Sequence, residues 1–154
     1  MIIMKYKELA KEIQIILHEN MHHGIQKIVE LLKNRINHYS WVGIYVIKGD
    51  MLHLGPWAGE HATEHVKIPV GKGICGSAAK TGKIEIVSNV HADKRYLSCF
   101  ISTKSEIVIP IKYENFVVGE IDIDSDEEDA FTKQDALFLE NIADMLGQHI
   151  HKLL

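Results

Sequence analysis

Cysteine and proline are scarce in this sequence, long apolar runs are missing, and each shortage excludes a class of protein. Two cysteines, Cys75 and Cys99, are too few to staple a small secreted scaffold, and 154 residues suffice to bury a core without staples. Two thiols in such a chain are candidates for redox chemistry, with inert burial as the plain alternative. With three prolines, no repeats and no low-complexity stretch, nothing reads as a linker. Residues 1–154 therefore read as one domain, with helices in 1–39 and sheet, loops and a last helix in 40–154.

No apolar run reaches membrane-spanning length, and the opening Met1-Ile2-Ile3-Met4-Lys5-Tyr6-Lys7 meets charge too early for a secretory segment. A cytoplasmic location is expected, with no membrane partner. A basic surplus is also missing. The formal net charge is −4, which argues against nucleic acid, since backbone binding needs clustered Lys and Arg. The ten histidines, including His22-His23 and His149 with His151, have spacings that fit no standard site with the two cysteines, so no metal is expected.

What is present is a change of period. Leu9, Ile13 and Ile16 mark one helical stripe and Ile25, Ile28, Val29, Leu32 and Ile36 another, with a break around Asn20 to Gly24. From Trp41 the period becomes two: Val42, Ile44 and Val46 share one face, Trp41, Gly43 and Tyr45 the other. Lys48-Gly49-Asp50 is turn chemistry before a returning strand, Met51 to Trp57. A short helix, Ile74 to Lys80, follows Gly71-Lys72-Gly73 and stops at Thr81-Gly82; Ile84 to Val87 is a brief strand.

A polar loop from Ser88 to about Lys104 carries Cys99, and loops this long are more often functional than idle. Glu106 to Tyr113 and Phe116 to Asp124 form a hairpin around Glu114-Asn115. Thr132-Lys133-Gln134-Asp135 reads as a capping box opening a helix with Phe138, Ile142, Met145, His149 and Ile150 on one face. The fold class is α+β: an antiparallel sheet with the terminal helices on one face and the middle loops on the other.

The strand phases show what the loop-covered face carries. In Gly119-Glu120-Ile121-Asp122-Ile123-Asp124 the isoleucines share one side, leaving Asp122 and Asp124 on the other. Glu106, Trp41 and Tyr45 fall on that same side. Crowded carboxylates in a partly dry cavity suit a cationic ligand group, such as an amino acid's ammonium, or proton donation near neutral pH. Trp41 and Tyr45 supply walls and cation–π contact.

The loop Gly71-Lys72-Gly73-Ile74-Cys75-Gly76 lacks P-loop spacing, yet a glycine turn feeding a helix offers free N–H groups to a carboxylate and is expected to lower the Cys75 pKa. Cys99, near Lys94, Arg95 and Lys104, is the better candidate nucleophile, because positive charge favours thiolate.

Taken together, Ser40-Trp41-Val42-Gly43-Ile44-Tyr45, Leu54-Gly55-Pro56-Trp57, Lys67 to Ala78, Ser105-Glu106-Ile107-Val108-Ile109-Pro110 and Gly119 to Ser125 resemble the free methionine-(R)-sulfoxide reductase family of GAF domains. The resemblance implies a GAF-like sheet and reduction of free methionine (R)-sulfoxide without metal or organic cofactor. It further implies recycling by thioredoxin or another thiol, and a homodimer fits such domains. Cys99 falls on the family's catalytic cysteine and Cys75 on a recycling cysteine, while Trp41, Tyr45, Glu106, Asp122 and Asp124 fall on substrate-pocket positions. The residues do not divide the acids between proton donation and ammonium binding. Two departures stand out. His65 replaces a third cysteine that many members carry, and Phe100 follows Cys99 where Asp is frequent. The alternative expectation is a non-catalytic GAF sensor for a small molecule.

Overall fold

A computed structural model describes residues 1–98 and 100–153, the side chains of Met21 and of residues 151–153 apart. Cys99, the expected nucleophile, lies outside the described residues. In chain order the elements are α1 (Ile2–Glu19), α2 (Met21–Arg35), β1 (Trp41–Lys48), β2 (Met51–Ala58), β3 (Lys67–Pro69), α3 (Gly73–Thr81), β4 (Glu85–Val87), β5 (Ser105–Tyr113), β6 (Phe116–Ser125) and α4 (Lys133–Leu153). The six strands form one sheet in the order β3-β2-β1-β6-β5-β4, with every neighbouring pair antiparallel. None of the helices is long and apolar enough to cross a membrane.

The two expected N-terminal helices are present, but their break is narrower than the spacing predicts. It is the single residue Asn20, whose extended backbone ends α1 and whose Oδ1 accepts from the His23 N–H at 3.2 Å, capping α2. The β5–β6 turn places Glu114 and Asn115 at φ 50° and 70°, the doubly left-handed geometry of a tight hairpin.

Alternation sorts the two faces as expected. Val42, Ile44, Ile107, Ile109, Ile121 and Ile123 join α1, α2 and α4 in the main core. On α4 the buried stripe is Phe138, Leu139, Ile142, Ala143, Leu146 and Ile150, so Met145 and His149 sit at its edge rather than in it. The stripe is rotated because Gly147 crosses β5 closely: a Cβ there would stand 2.2 Å from the Lys112 carbonyl oxygen. On the opposite face a smaller core joins Trp41, Tyr45 and Val108 to Ile74, Cys75, Ala78 and Ala79 of α3.

Candidate active site

The pocket face is assembled by register. On β6, Asp124 pairs with Trp41 of β1 and Glu106 of β5, Asp122 with Gly43 and Val108, and Glu120 with Tyr45 and Pro110. Side chains of one parity on three neighbouring strands therefore converge, and α3 lies over them. Glu106, Glu120, Asp122 and Asp124 are each no more than 4% exposed. The structure thus brings together the expected Trp41, Tyr45, Cys75, Glu106, Asp122 and Asp124, and it adds Glu120. That residue was findable by parity alone, since it shares its side of the strand with Asp122 and Asp124.

Three of these acids are short of donors. Both Glu120 oxygens and one oxygen each of Asp122 and Asp124 have no hydrogen-bond partner among the described residues. Burial pushes the Glu120, Asp122 and Asp124 carboxyls above the usual carboxylate range; the Asp122 charge adds to this at Glu120 and Asp124. Hydrogen bonding with Glu106 and Cys75, and the nearby His65, draw Asp122 part of the way back.

Cys75 reverses the sequence expectation. Its thiol is held well above the ordinary value, first by burial and then by the charges of Asp122, Glu120, Glu106 and Asp124. A position near a helix start lowers a thiol pKa only when stronger local charges do not oppose it. The Cys75 Sγ–H donates to Glu106 Oε2 at 3.7 Å. In the glycine turn three amides are used internally. Gly71 N–H donates to the Gly76 carbonyl at 2.8 Å, Lys72 N–H to that of Pro69 at 3.1 Å, and Gly76 N–H to that of Lys72 at 2.9 Å.

Trp41 forms the aromatic wall. Its ring stacks on Trp57 with centroids 6.2 Å apart and meets Phe100 at 5.8 Å, while its Nε1 has no partner among the described residues. Gly43 and Gly59 make room for it, since a Cβ at either would fall within 2.3 Å of the indole. Phe100 thus contributes apolar wall, a role hidden in sequence because it depends on the loop's fold. A cavity of about 340 Å³ opens beside Trp41, Phe100, Ser102, Thr103 and Asp124.

Tyr45 donates its hydroxyl to the His65 carbonyl at 2.8 Å. The His65 Nε2 lies 3.1 Å from the Ser98 carbonyl oxygen. A carbonyl only accepts, so Nε2 carries the proton, and His65 ties the chain one residue before Cys99 to the pocket. Arg95, expected to favour a thiolate, is instead committed to Glu85 and Asp93 through contacts of 2.8 Å each.

Comparison with known proteins gives this constellation a family. The GAF domain family matches residues 20–150. The free methionine-R-sulfoxide reductase of Escherichia coli is 37% identical over 105 residues, 68% of this chain and 62% of that protein. A type II free methionine-R-sulfoxide reductase from Thermoplasma acidophilum superposes with a TM-score of 0.82 at 39% identity, covering 86% of this chain and 93% of that one. The chain belongs to the free methionine-R-sulfoxide reductase family of GAF domains. A further reductase of this name, from Neisseria meningitidis and solved with its substrate, superposes with a TM-score of 0.88 at 29% identity over 95% of this chain and 88% of that one. The expected GAF architecture is therefore the observed one. Within it, the acid-lined face covered by α3 is the candidate ligand face.

Proposed function

We propose that this protein reduces free methionine (R)-sulfoxide to methionine, with Cys99 as the attacking thiol. The observation that carries the reading is the buried acid row in which Glu120, Asp122 and Asp124 keep oxygens without a hydrogen-bond partner among the described residues, with Glu106 beside them and Trp41, Tyr45 and Phe100 as walls. An amino acid's ammonium supplies the cation this row lacks, which accounts for selection of the free amino acid over the residue within a protein, where no ammonium exists. The aromatic wall suits the thioether end.

The Cys99 sulfur bonds to the sulfoxide sulfur as a proton reaches the oxygen. Transfer of that oxygen to sulfur releases methionine and leaves Cys99 as the sulfenic acid. A carboxylic acid whose burial favours the protonated form is a suitable donor, and burial pushes Asp122 and Asp124 in that direction. Cys75 then attacks the sulfenic sulfur, water leaves, and a disulfide remains for thioredoxin or another dithiol to reduce. Glu106, already accepting from the Cys75 thiol, is placed to take its proton. With only Cys75 available for that step, direct reduction of Cys99 by an external thiol is the competing route.

A reducing cytoplasm suits such recycling, and two chains pair through their terminal helices, where Ile3 and Leu137 are exposed. Light scattering that shows only monomer across a wide concentration range contradicts the pairing. The activity is tested with separated (R) and (S) sulfoxides and dithiothreitol. The (R) isomer is consumed, the (S) isomer is spared and Cys99→Ser is silent. Undiminished turnover by Cys99→Ser removes the assigned nucleophile, and no turnover by the wild type removes the activity.

A further inference from the structure

The thiol of Cys75 faces more acids than its recycling role requires. Its Sγ is 3.7 Å from Glu106 Oε2, and this sulfur with one oxygen each from Glu106 and Asp122 forms a set lying within 4.8 Å of one another. In tetrahedral zinc, with Zn–S about 2.3 Å and Zn–O about 2.0 Å, the S–O edge is roughly 3.5 Å. The Cys75–Glu106 edge is close to that length, and no edge of the set need close by more than about 1.5 Å. Independently of the set's shape, an Asp122 oxygen and both Glu120 oxygens are buried without hydrogen-bond partners among the described residues. Such atoms are what a cation replaces water with.

We propose that this cluster is a binding site for one thiophilic divalent cation, held by Cys75 Sγ, Glu106 and Asp122, with water or Glu120 in the fourth position. The sulfur ligand selects zinc, cadmium or cobalt over magnesium or calcium. Two positive charges offset the crowding of carboxylates, and binding releases the thiol proton. The cavity beside Trp41 reaches Asp124, the register partner of Glu106. Glu106 and Asp122 are also the carboxylates assigned above to the substrate's ammonium. It follows, resting on that assignment, that the cation and the free amino acid exclude one another, making zinc a reversible brake on the reductase.

The test is a cobalt titration of the full chain, stripped by chelator and reduced with a phosphine. One equivalent of cobalt produces a near-ultraviolet thiolate-to-metal absorption that zinc abolishes. The band persists in Cys99→Ser and disappears in Cys75→Ser. Asp122→Asn, which keeps both thiols, weakens binding at least ~10-fold and covers the case in which Cys75→Ser folds poorly. Free methionine raises the apparent cobalt dissociation constant. No band, or a band that depends on Cys99 and not on Cys75, overturns the site, and an affinity indifferent to methionine overturns the shared pocket. Turnover of the metal-free wild type is read separately, so loss of the metal site and loss of the reductase assignment give different results.

Discussion

Asp135, at the start of α4, and the row Glu120, Asp122 and Asp124 on β6 are equally buried, and the fold treats them in opposite ways. Asp135 Oδ1 accepts from Tyr6 at 2.6 Å, from Tyr39 at 2.7 Å and from His38 Nε2 at 2.9 Å. Its Oδ2 accepts from the Thr132 N–H at 2.9 Å and from the Thr132 hydroxyl at 3.2 Å. Burial alone would raise its pKa, but the hydrogen bonds from His38, Tyr6, Thr132 and Tyr39 outweigh it and hold the carboxyl far below the usual range. The β6 row, equally closed to solvent but set deeper in the protein and without those donors, is pushed up. A satisfied buried charge ties α1, α4 and the α2–β1 loop together. An unsatisfied row keeps its capacity for a ligand.

That contrast can be broken from either side. Asp135→Ala strands the Tyr6 and Tyr39 hydroxyls and is expected to cost about 3–5 kcal/mol in urea unfolding while leaving the kcat/KM of the folded fraction unchanged. Asp122→Asn is expected to do the reverse: kcat/KM falls ~100-fold, within the range for a lost proton donor, while stability moves by less than about 1 kcal/mol.

The pH response of stability follows from the depressed Asp135 pKa. The unfolded state takes up a proton first as pH falls, so the contribution of Asp135 is complete above about pH 4 and is lost as pH drops toward the folded value. The stability gap between wild type and Asp135→Asn should therefore be widest at neutral pH and narrow below pH ~4. The smallest expected effect is at His65. His65→Ala loses the hydrogen bond to the Ser98 carbonyl and should lower kcat about 2- to 10-fold, with partial recovery in His65→Gln, whose amide can still donate.

How much of this was legible in the sequence depends on how local the cause is. Strand parity is local, so the two faces of β1, β5 and β6 and the placement of Glu106, Asp122 and Asp124 follow from alternation, as does the Glu114-Asn115 turn. The Thr132–Asp135 cap was equally legible, because its partners lie three residues apart. Long-range convergence was not. The Asp135 network draws Tyr6 from α1 and Tyr39 from before β1, residues far apart in the chain. The Cys75 thiol is shifted upward by acids on two distant strands, against the helix-start effect that its own neighbours suggest. Arg95 reads as a free cation beside Cys99 until the fold pairs it with Glu85. Trp57 and Phe100 become the faces of Trp41 only through β1–β2 pairing and the path of the loop.

The central claim is that the acid row reads the substrate's ammonium, and removing that charge from the substrate tests it most directly. Steady-state kcat/KM is measured for free methionine (R)-sulfoxide and for its N-acetyl derivative, which keeps the sulfoxide and loses the cation. The N-acetyl compound is expected to lose at least ~100-fold, as for a buried charged partner left unpaired. Equal turnover of the two compounds would contradict the claim.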